Sequence, residues 1–342
     1  MGHNKFNSEI VQFIPENLSI ELEFHKIQEE CIKYCYSKEA AFELSHQKVV
    51  IDAEIIQVML TEVEEMFWLT QNNPLPLSVF EAVTEDVRML KIANYTCPLD
   101  SVLRFKNLCV ISKNIRAFFK DLDKKQFSFL NYRIDRLINP NAILNEISKV
   151  FSPTNEILDS ASIELQRIRR SIKEINSDLH KVFKRSLLMY REKSYLADIP
   201  ETIRNGRLVL GVNVEHKRNV SGIIHDQSES GKVIFIEPEE LVQLNNRLRE
   251  LESDEQSEIF KILSQLSEVI RPFAEELEST AYELIGLDII HAKAKFAKEI
   301  DGIKPKISSE GLSIQDGRHP LLLIKNNSQR LVTVPFSLYL NS

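Results

Sequence analysis

The apolar positions Leu165, Ile168, Ile172, Ile175, Leu179 and Val182 follow one another in steps of three and four, the spacing of a single stripe along a helix and of a heptad seam. Asp159 or Ser160 is the N-cap candidate, and no Gly or Pro intervenes before Pro200, so one helix is predicted over about 160–195. At 1.5 Å per residue it would reach about 50 Å, longer than one globular domain needs. A second stripe begins after Pro238: Leu241, Leu244, Leu248 and Leu251, then Ile259, Ile262, Leu266, Val269 and Phe273. The steps from Leu251 to Glu255 to Ile259 are both four, a stutter that puts a carboxylate on the seam and predicts loosened contact there. Two long stripes separated by about forty residues are expected to lie antiparallel, each covering the other's apolar face.

Between the stripes, from Ile199 to Pro238, the period changes to alternation. Leu208, Leu210, Val212 and Val214 share one face of a strand that follows the Asn205-Gly206 turn. Asn219 to Gly222 reads as a second turn, Ile223-Ile224 as a short strand, Ser228 to Gly231 as a third turn and Val233 to Ile236 as a final strand. A small antiparallel meander is predicted, marginal by itself unless it docks on something.

Before the first stripe the chain reads as short and medium helices. Leu22, Ile27 and Ile32 mark one, Ala53 to Trp68 a second and Leu99 to Phe119 a third, with breaks at Asn72-Asn73-Pro74-Leu75-Pro76 and at Pro98. After the second stripe, Leu284 to Ala297 completes the helical region, and Leu312 to Ile314 and Leu331 to Val334 read as strands around Arg318-His319-Pro320. The resulting division is a disordered N-terminus over 1–14, a helical core over 15–158, a first long helix over 159–196, a β insertion over 197–238, a second long helix returning to the core over 239–302, and a β-containing unit over 303–342 that has barely begun when the chain stops, as in a truncation.

Composition agrees with a mainly α reading. Of 342 residues only nine are Gly and twelve Pro, against a turn-rich all-β chain. No apolar run is long enough to span a membrane and the N-terminus lacks the basic-then-apolar order of a signal peptide, so a cytoplasmic protein is expected. Cys31, Cys35, Cys97 and Cys109 are too few for a disulfide framework and lack zinc-site spacing; they read as buried filler. The net charge of −7 argues against wholesale attraction to nucleic acid. Locally the sign reverses: residues 161–220 hold thirteen Lys and Arg against seven Asp and Glu, whereas residues 239–280 hold four against eleven.

Several short runs carry a family resemblance: Asp159-Ser160-Ala161-Ser162 with Glu164-Leu165 and Ile168-Arg169; Arg204-Asn205-Gly206-Arg207 before Val209-Leu210; Gly222-Ile223-Ile224-His225-Asp226-Gln227-Ser228; Ser230-Gly231; Phe235-Ile236-Glu237-Pro238; Leu244-Asn245-Asn246-Arg247-Leu248-Arg249-Glu250-Leu251; and Arg318-His319-Pro320. The chain resembles the bacterial MutS paralogue often called MutS-two, associated with recombination control, most strongly over about 159–320. Where relatives usually have Pro after the Val-Leu of the clamp strand, this chain has Gly211. The resemblance implies a helical core, two lever helices, an inserted β clamp and the start of a β-containing ATPase domain. Full-length relatives add a P-loop ATPase that uses ATP and Mg and a C-terminal small nuclease-type domain. They act as homodimers that close around branched or damaged DNA, and some are linked to stalled or collided ribosomes.

Chemistry within these residues is sparse. The single Gly-Lys pair, Gly231-Lys232, follows Asp226 where a P-loop needs Gly and precedes Val233 where it needs Ser or Thr, so it reads as a hairpin turn and no ATP site is expected. His225-Asp226 with Ser228 or Ser230 suggests a hydrolytic triad, but adjacent strand residues point to opposite faces, and turn and edge hydrogen bonding is the simpler reading. His319 before Pro320 likewise reads as structural. The candidate nucleic-acid contacts are Arg204, Arg207, His216, Lys217, Arg218 and Lys232, all at turns or strand ends where exposed charge can reach phosphate. The competing reading makes them solvated turn residues. Arg167, Arg169, Arg170 and Lys173 are expected to pair with Glu250, Glu252 or Glu255 on the opposite helix. Two functions are therefore in view: a clamp that holds duplex, branched or damaged DNA without reading sequence, or a coiled-coil scaffold for dimerisation or docking on ribosomes.

Overall fold

The helical stripes fold as helices, and the computed structural model is mainly α with a small antiparallel sheet; it describes residues 18–204, 206–308 and 311–341. The N-terminal stretch 1–14, expected to be disordered, lies outside the described residues. In chain order the helices are α1 (Leu18–Glu21), α2 (Phe24–Ile32), α3 (Lys38–Ser45), α4 (Ala53–Asn72), α5 (Thr84–Leu90), α6 (Leu99–Lys120), α7 (Ser128–Asp135), α8 (Asn141–Val150), α9 (Ile163–Glu192), α10 (Glu239–Ile270), α11 (Ala274–Glu299) and α12 (Pro320–Gln329). The strands are β1 (Leu196–Arg204), β2 (Arg207–Asn213), β3 (Gly222–Gln227), β4 (Val233–Pro238), β5 (Gly311–Gly317) and β6 (Phe336–Asn341). Two compact units result, residues 1–145 with 267–342, and residues 146–266.

In the first unit the breaks fall where the prolines demand: α4 stops at Asn72 before Pro74, and α6 starts directly after Pro98. Helix α11 is the centre of this unit and packs on α2 to α7. It buries residues on several sides, among them Leu277, Leu284, Leu287, Ile290 and Ala294, as a helix enclosed by others must. Three of its buried polar groups, Thr280, Glu283 and Asp288, are put to structural use. The Asp288 carboxylate accepts from the Tyr36 and Ser37 amides and from Ser37 Oγ, and Ser37 itself caps α3. Glu283 meets Arg133 and Arg136, and Thr280 Oγ1 accepts from the Ile138 amide. At the C-terminal end, β5 and β6 pair antiparallel. The strand expected at Leu331 to Val334 is instead an extended link with Val332 and Val334 exposed; the pairing partner of β5 is 336–341, and Pro320 opens a helix that the sequence pattern did not suggest.

In the second unit α9 begins at Ile163. Its N-cap is Ser162, whose Oγ accepts from the Leu165 amide at 2.9 Å, in place of the expected Asp159 or Ser160. Asp159 is unavailable because its carboxylate holds Arg169 Nη1 at 2.7 Å. Helix α9 ends three residues earlier than predicted: Ser194 turns the chain with φ 58° and the Tyr195 amide closes back on Tyr190 O. That releases Leu196–Arg204 as β1, a strand the alternation did not reveal, because Pro200 sits inside an irregular register between Leu196 and Glu201 and Ile199 and Ile203 both face solvent.

Helices α9 and α10 run antiparallel. Ser162 Oγ donates to Glu258 and Arg169 Nε to Glu255, while the other end of α9 packs through Leu179, Phe183 and Leu187 beside Leu241, Leu244 and Leu248. The stutter at Glu255 was expected to loosen the seam; Arg169 instead spans it at 2.6 Å, with both side chains only about a fifth exposed. Arg167 pairs with Glu164 on its own helix and Lys173 with Asp159, so of the predicted cross-helix ion pairs Arg169–Glu255 is the one that forms among the described residues.

The four-stranded sheet has the order β1-β2-β4-β3, not the expected meander. A 3-10 turn over Val214–Asn219 carries the chain from β2 to the far edge, and β4 then returns between the two. Hydrophobicity sets this order: β2 and β4 bury Leu210, Val212, Ile234 and Ile236 and take the middle, whereas β3 exposes Ile223 and Ile224 at an edge. Val214, expected on the strand, lies in the 3-10 turn and is exposed. The sheet docks on its own helical hairpin, sealing Leu210, Val212, Ile234 and Ile236 against Leu179, Phe183, Leu187, Tyr190 and Leu241.

Candidate functional site

Most of the short runs that carry the family resemblance converge on one buried carboxylate. Glu237, at the end of β4, is fully buried. Arg207 Nη1 donates to both of its oxygens at 2.8 and 2.9 Å, and Asn245 Nδ2 donates to Oε1 at 2.8 Å. His225 Nε2 reaches Oε2 at 2.6 Å; an ionised carboxylate only accepts, so this nitrogen carries the proton. Burial works to raise the Glu237 pKa, but the hydrogen bonds from Asn245, His225 and Arg207 outweigh it and hold the group below the ordinary glutamate value.

Local backbone features make this convergence possible. A bulge in β3 between Ile224 and Asp226 leaves His225 unpaired in the ladder and re-aims it at Glu237. Gly222 lets β3 start close against β4, since a Cβ there would lie 2.0 Å from the Glu237 carbonyl oxygen. The sequence signal was present in the runs 204–207, 222–228, 235–238 and 244–251, but nothing in a single chain says that Arg207, His225 and Asn245 share an anion.

The six candidate contact residues separate into three groups. Arg207 is only 13% exposed and is committed to Glu237, with Asn246 as a further partner. Arg204 lies with its guanidinium 4.3 Å from the centre of the Phe235 ring, pairs with Asp226 at 3.3 Å and bonds Thr202 Oγ1. Both were expected beside a turn; Gly206 does turn the chain with φ 74°, while Asn205 lies outside the described residues. By contrast Lys217, Arg218 and Lys232 are exposed, and among the described residues none makes an ion pair. They adjoin one another: the Val214 amide donates to Lys232 O at 2.9 Å, tying the 3-10 turn of Lys217 and Arg218 to the 228–232 turn. His216 in the same 3-10 turn stacks on Tyr195, ring centres 4.6 Å apart.

The hydrolytic constellation does not assemble. His225 serves Glu237, Asp226 meets Arg204, and Ser228 bonds Ser230 Oγ and the Val233 amide. Gly231 and Lys232 lie in the turn expected of them, with Gly231 at φ 69°. Cys31, Cys97 and Cys109 are buried and Cys35 half-buried; burial pushes the thiols of Cys35 and Cys109 up to about 12 and that of Cys31 up to about 11. Among the described residues no group of His, Cys, Asp or Glu is arranged to hold a metal ion, and no helix is long and apolar enough to cross a membrane.

Comparison with known proteins finds no matching family model. It finds strong similarity to proteins called endonuclease MutS2. That of Alkaliphilus metalliredigens is 33% identical over 299 residues, 87% of this chain and 37% of the relative. That of Clostridium botulinum is 34% identical over 306 residues, 88% and 38%, and that of Clostridium novyi 34% over 313 residues, 90% and 40%. This chain is a homologue of the MutS2 proteins. It spans about two-fifths of their length. A match of 299 residues reaches well into the helical unit before residue 159, so the similarity to MutS2 extends beyond the short runs clustered around Glu237.

Proposed function

We propose that this chain is a DNA-gripping region of a MutS2-type protein, in which the β clamp contacts the phosphate backbone of duplex or branched DNA without reading its sequence. The observation that carries the reading is the set of adjoining exposed cations Lys217, Arg218 and Lys232, which have no ion-pair partner among the described residues while the nearby Arg204 and Arg207 are internally engaged. In a chain of net charge −7, three cations left open on two turns joined by a backbone hydrogen bond suit an anion from outside. The relatives' name, endonuclease MutS2, supports a nucleic-acid partner. ATP, Mg and nuclease chemistry belong, in this reading, to other parts of such a protein.

The test is the triple variant Lys217→Ala, Arg218→Ala, Lys232→Ala, titrated against duplex and branched DNA at several salt concentrations. Each lost phosphate contact removes about 0.9 from the log–log salt slope, so the loss of three flattens it by about 2.7. Unchanged affinity and slope in a variant that keeps its helical signal would refute the grip. Binding of ribosomal particles with no DNA shift would favour the scaffold reading instead.

A further inference from the structure

The end of the sheet that carries the open cations also carries a graded aromatic stack. Tyr190, buried in the sheet–helix core, lies 6.4 Å from Tyr195, and Tyr195 lies 4.6 Å from His216 with the two planes 30° apart. The stack is held by the backbone at both edges of Tyr195: its amide donates to Tyr190 O at 3.1 Å and its carbonyl accepts from the Asn213 amide at 3.0 Å. Lys193 Nζ stands 5.9 Å from the centre of the Tyr190 ring, adding a cation beside the stack. His216 is the outermost member, its side chain 29% exposed and its Nε2 3.5 Å from the exposed Glu215 carboxylate, and Lys217 and Arg218 follow it directly in the chain.

We propose that His216 is a stacking platform for an unpaired nucleobase, with Lys217 and Arg218 holding the phosphates that flank it; this rests on the DNA-gripping reading above and names the substrate class it favours. A flat ring fixed by a second ring behind it loses little freedom when a base covers its open face, unlike a solitary histidine on an exposed turn. Cations beside an aromatic surface are the combination by which single strands are held, charge following the backbone and rings receiving bases regardless of sequence. A fully paired duplex offers its bases only at a stack already filled, so it uses the cations and leaves the ring idle. Gapped or branched DNA uses both.

The experiment measures binding of the full chain to three fluorescent DNAs of equal length: a fully paired duplex, a duplex with a short single-stranded gap, and a three-way junction with one unpaired 2-aminopurine at the branch. Stacking quenches 2-aminopurine on binding. His216→Ala is expected to abolish the quench and weaken gap and junction binding roughly 5- to 150-fold while duplex affinity stays unchanged. His216→Phe, which restores a flat ring without ring nitrogens, is expected to recover both the quench and the preference. An unchanged ratio of gap to duplex affinity in His216→Ala, or loss of all three affinities alike, overturns the platform. If the Lys217, Arg218, Lys232 triple variant loses duplex binding in the same series, the grip stands whichever way the platform falls.

Discussion

Removing the Glu237 side chain tests how this small sheet is held to its helices. In Glu237→Ala the Arg207 guanidinium, 13% exposed, keeps only Asn246 as a partner, and His225 and Asn245 lose their acceptor. The glutamate's own desolvation cost disappears with it, so the four lost hydrogen bonds do not add at full value; leaving the other half of a buried pair uncompensated costs about 3–5 kcal/mol. Hydrogen exchange reads this locally. Amides of β2 and β4 should lose roughly 100- to 4,000-fold in protection, while those of Phe105 to Ile115 on α6, in the other compact unit, keep theirs. A loss below about tenfold would refute the reasoning, and so would an equal loss in α6, which would mean that the sheet has no stability of its own to lose.

Glu237→Gln adds a second readout. The folded pKa of Glu237 lies below its unfolded value, so the stability it brings is fully present above the ordinary glutamate value of about 4.3 and fades as pH falls through the lowered one. In the glutamine variant this acid step should vanish from the protection of β4, at the cost of a lower plateau at neutral pH.

Two other perturbations act on single, well-defined contacts. Gly222→Ala would set a Cβ 2.0 Å from the Glu237 carbonyl oxygen, backbone that cannot swing aside, so β3 must separate from β4; a loss of about 1–3 kcal/mol in chemical denaturation is expected, and a neutral substitution would contradict the close approach. His291 is buried in α11, and burial, with Lys295 nearby, drives its pKa down to about 4. The unfolded chain takes up this proton near pH 6.5 and the folded one does not, so stability should fall by about 3 kcal/mol as pH drops from 6.5 to 4. His291→Gln should flatten that part of the pH dependence of the urea midpoint.

The long helices were readable because their stripes repeat for about thirty residues and because prolines mark the breaks. What failed to show was local. A strand that exposes Ile199 and Ile203 and bends at Pro200 has no alternation to detect. The order of the strands depends on which of them bury most, a property of the assembled sheet and not of any strand alone. The same holds at the C-terminal end, where Leu331 to Val334 has the composition of a strand but lacks a partner for its ladder, and β5 pairs with 336–341 instead.

For the site, the distinction between a cation that holds the fold and one that awaits a ligand is not written in residue type or in nearness to a turn. Arg207 and Arg218 look alike in the chain, each beside a turn in a basic stretch. They differ because Arg207 opens a strand whose neighbour β4 presents Glu237 on the same side, whereas Arg218 lies on a 3-10 turn whose one acid, Glu215, meets His216, and it makes no ion pair among the described residues. Electrostatic binding to a polyanion scales with the cations that remain open, not with the number present. The five Lys and Arg candidates would make a salt slope of about 4.5, and the three left open account for about 2.7. Arg204 and Arg207 already have their anions inside the protein.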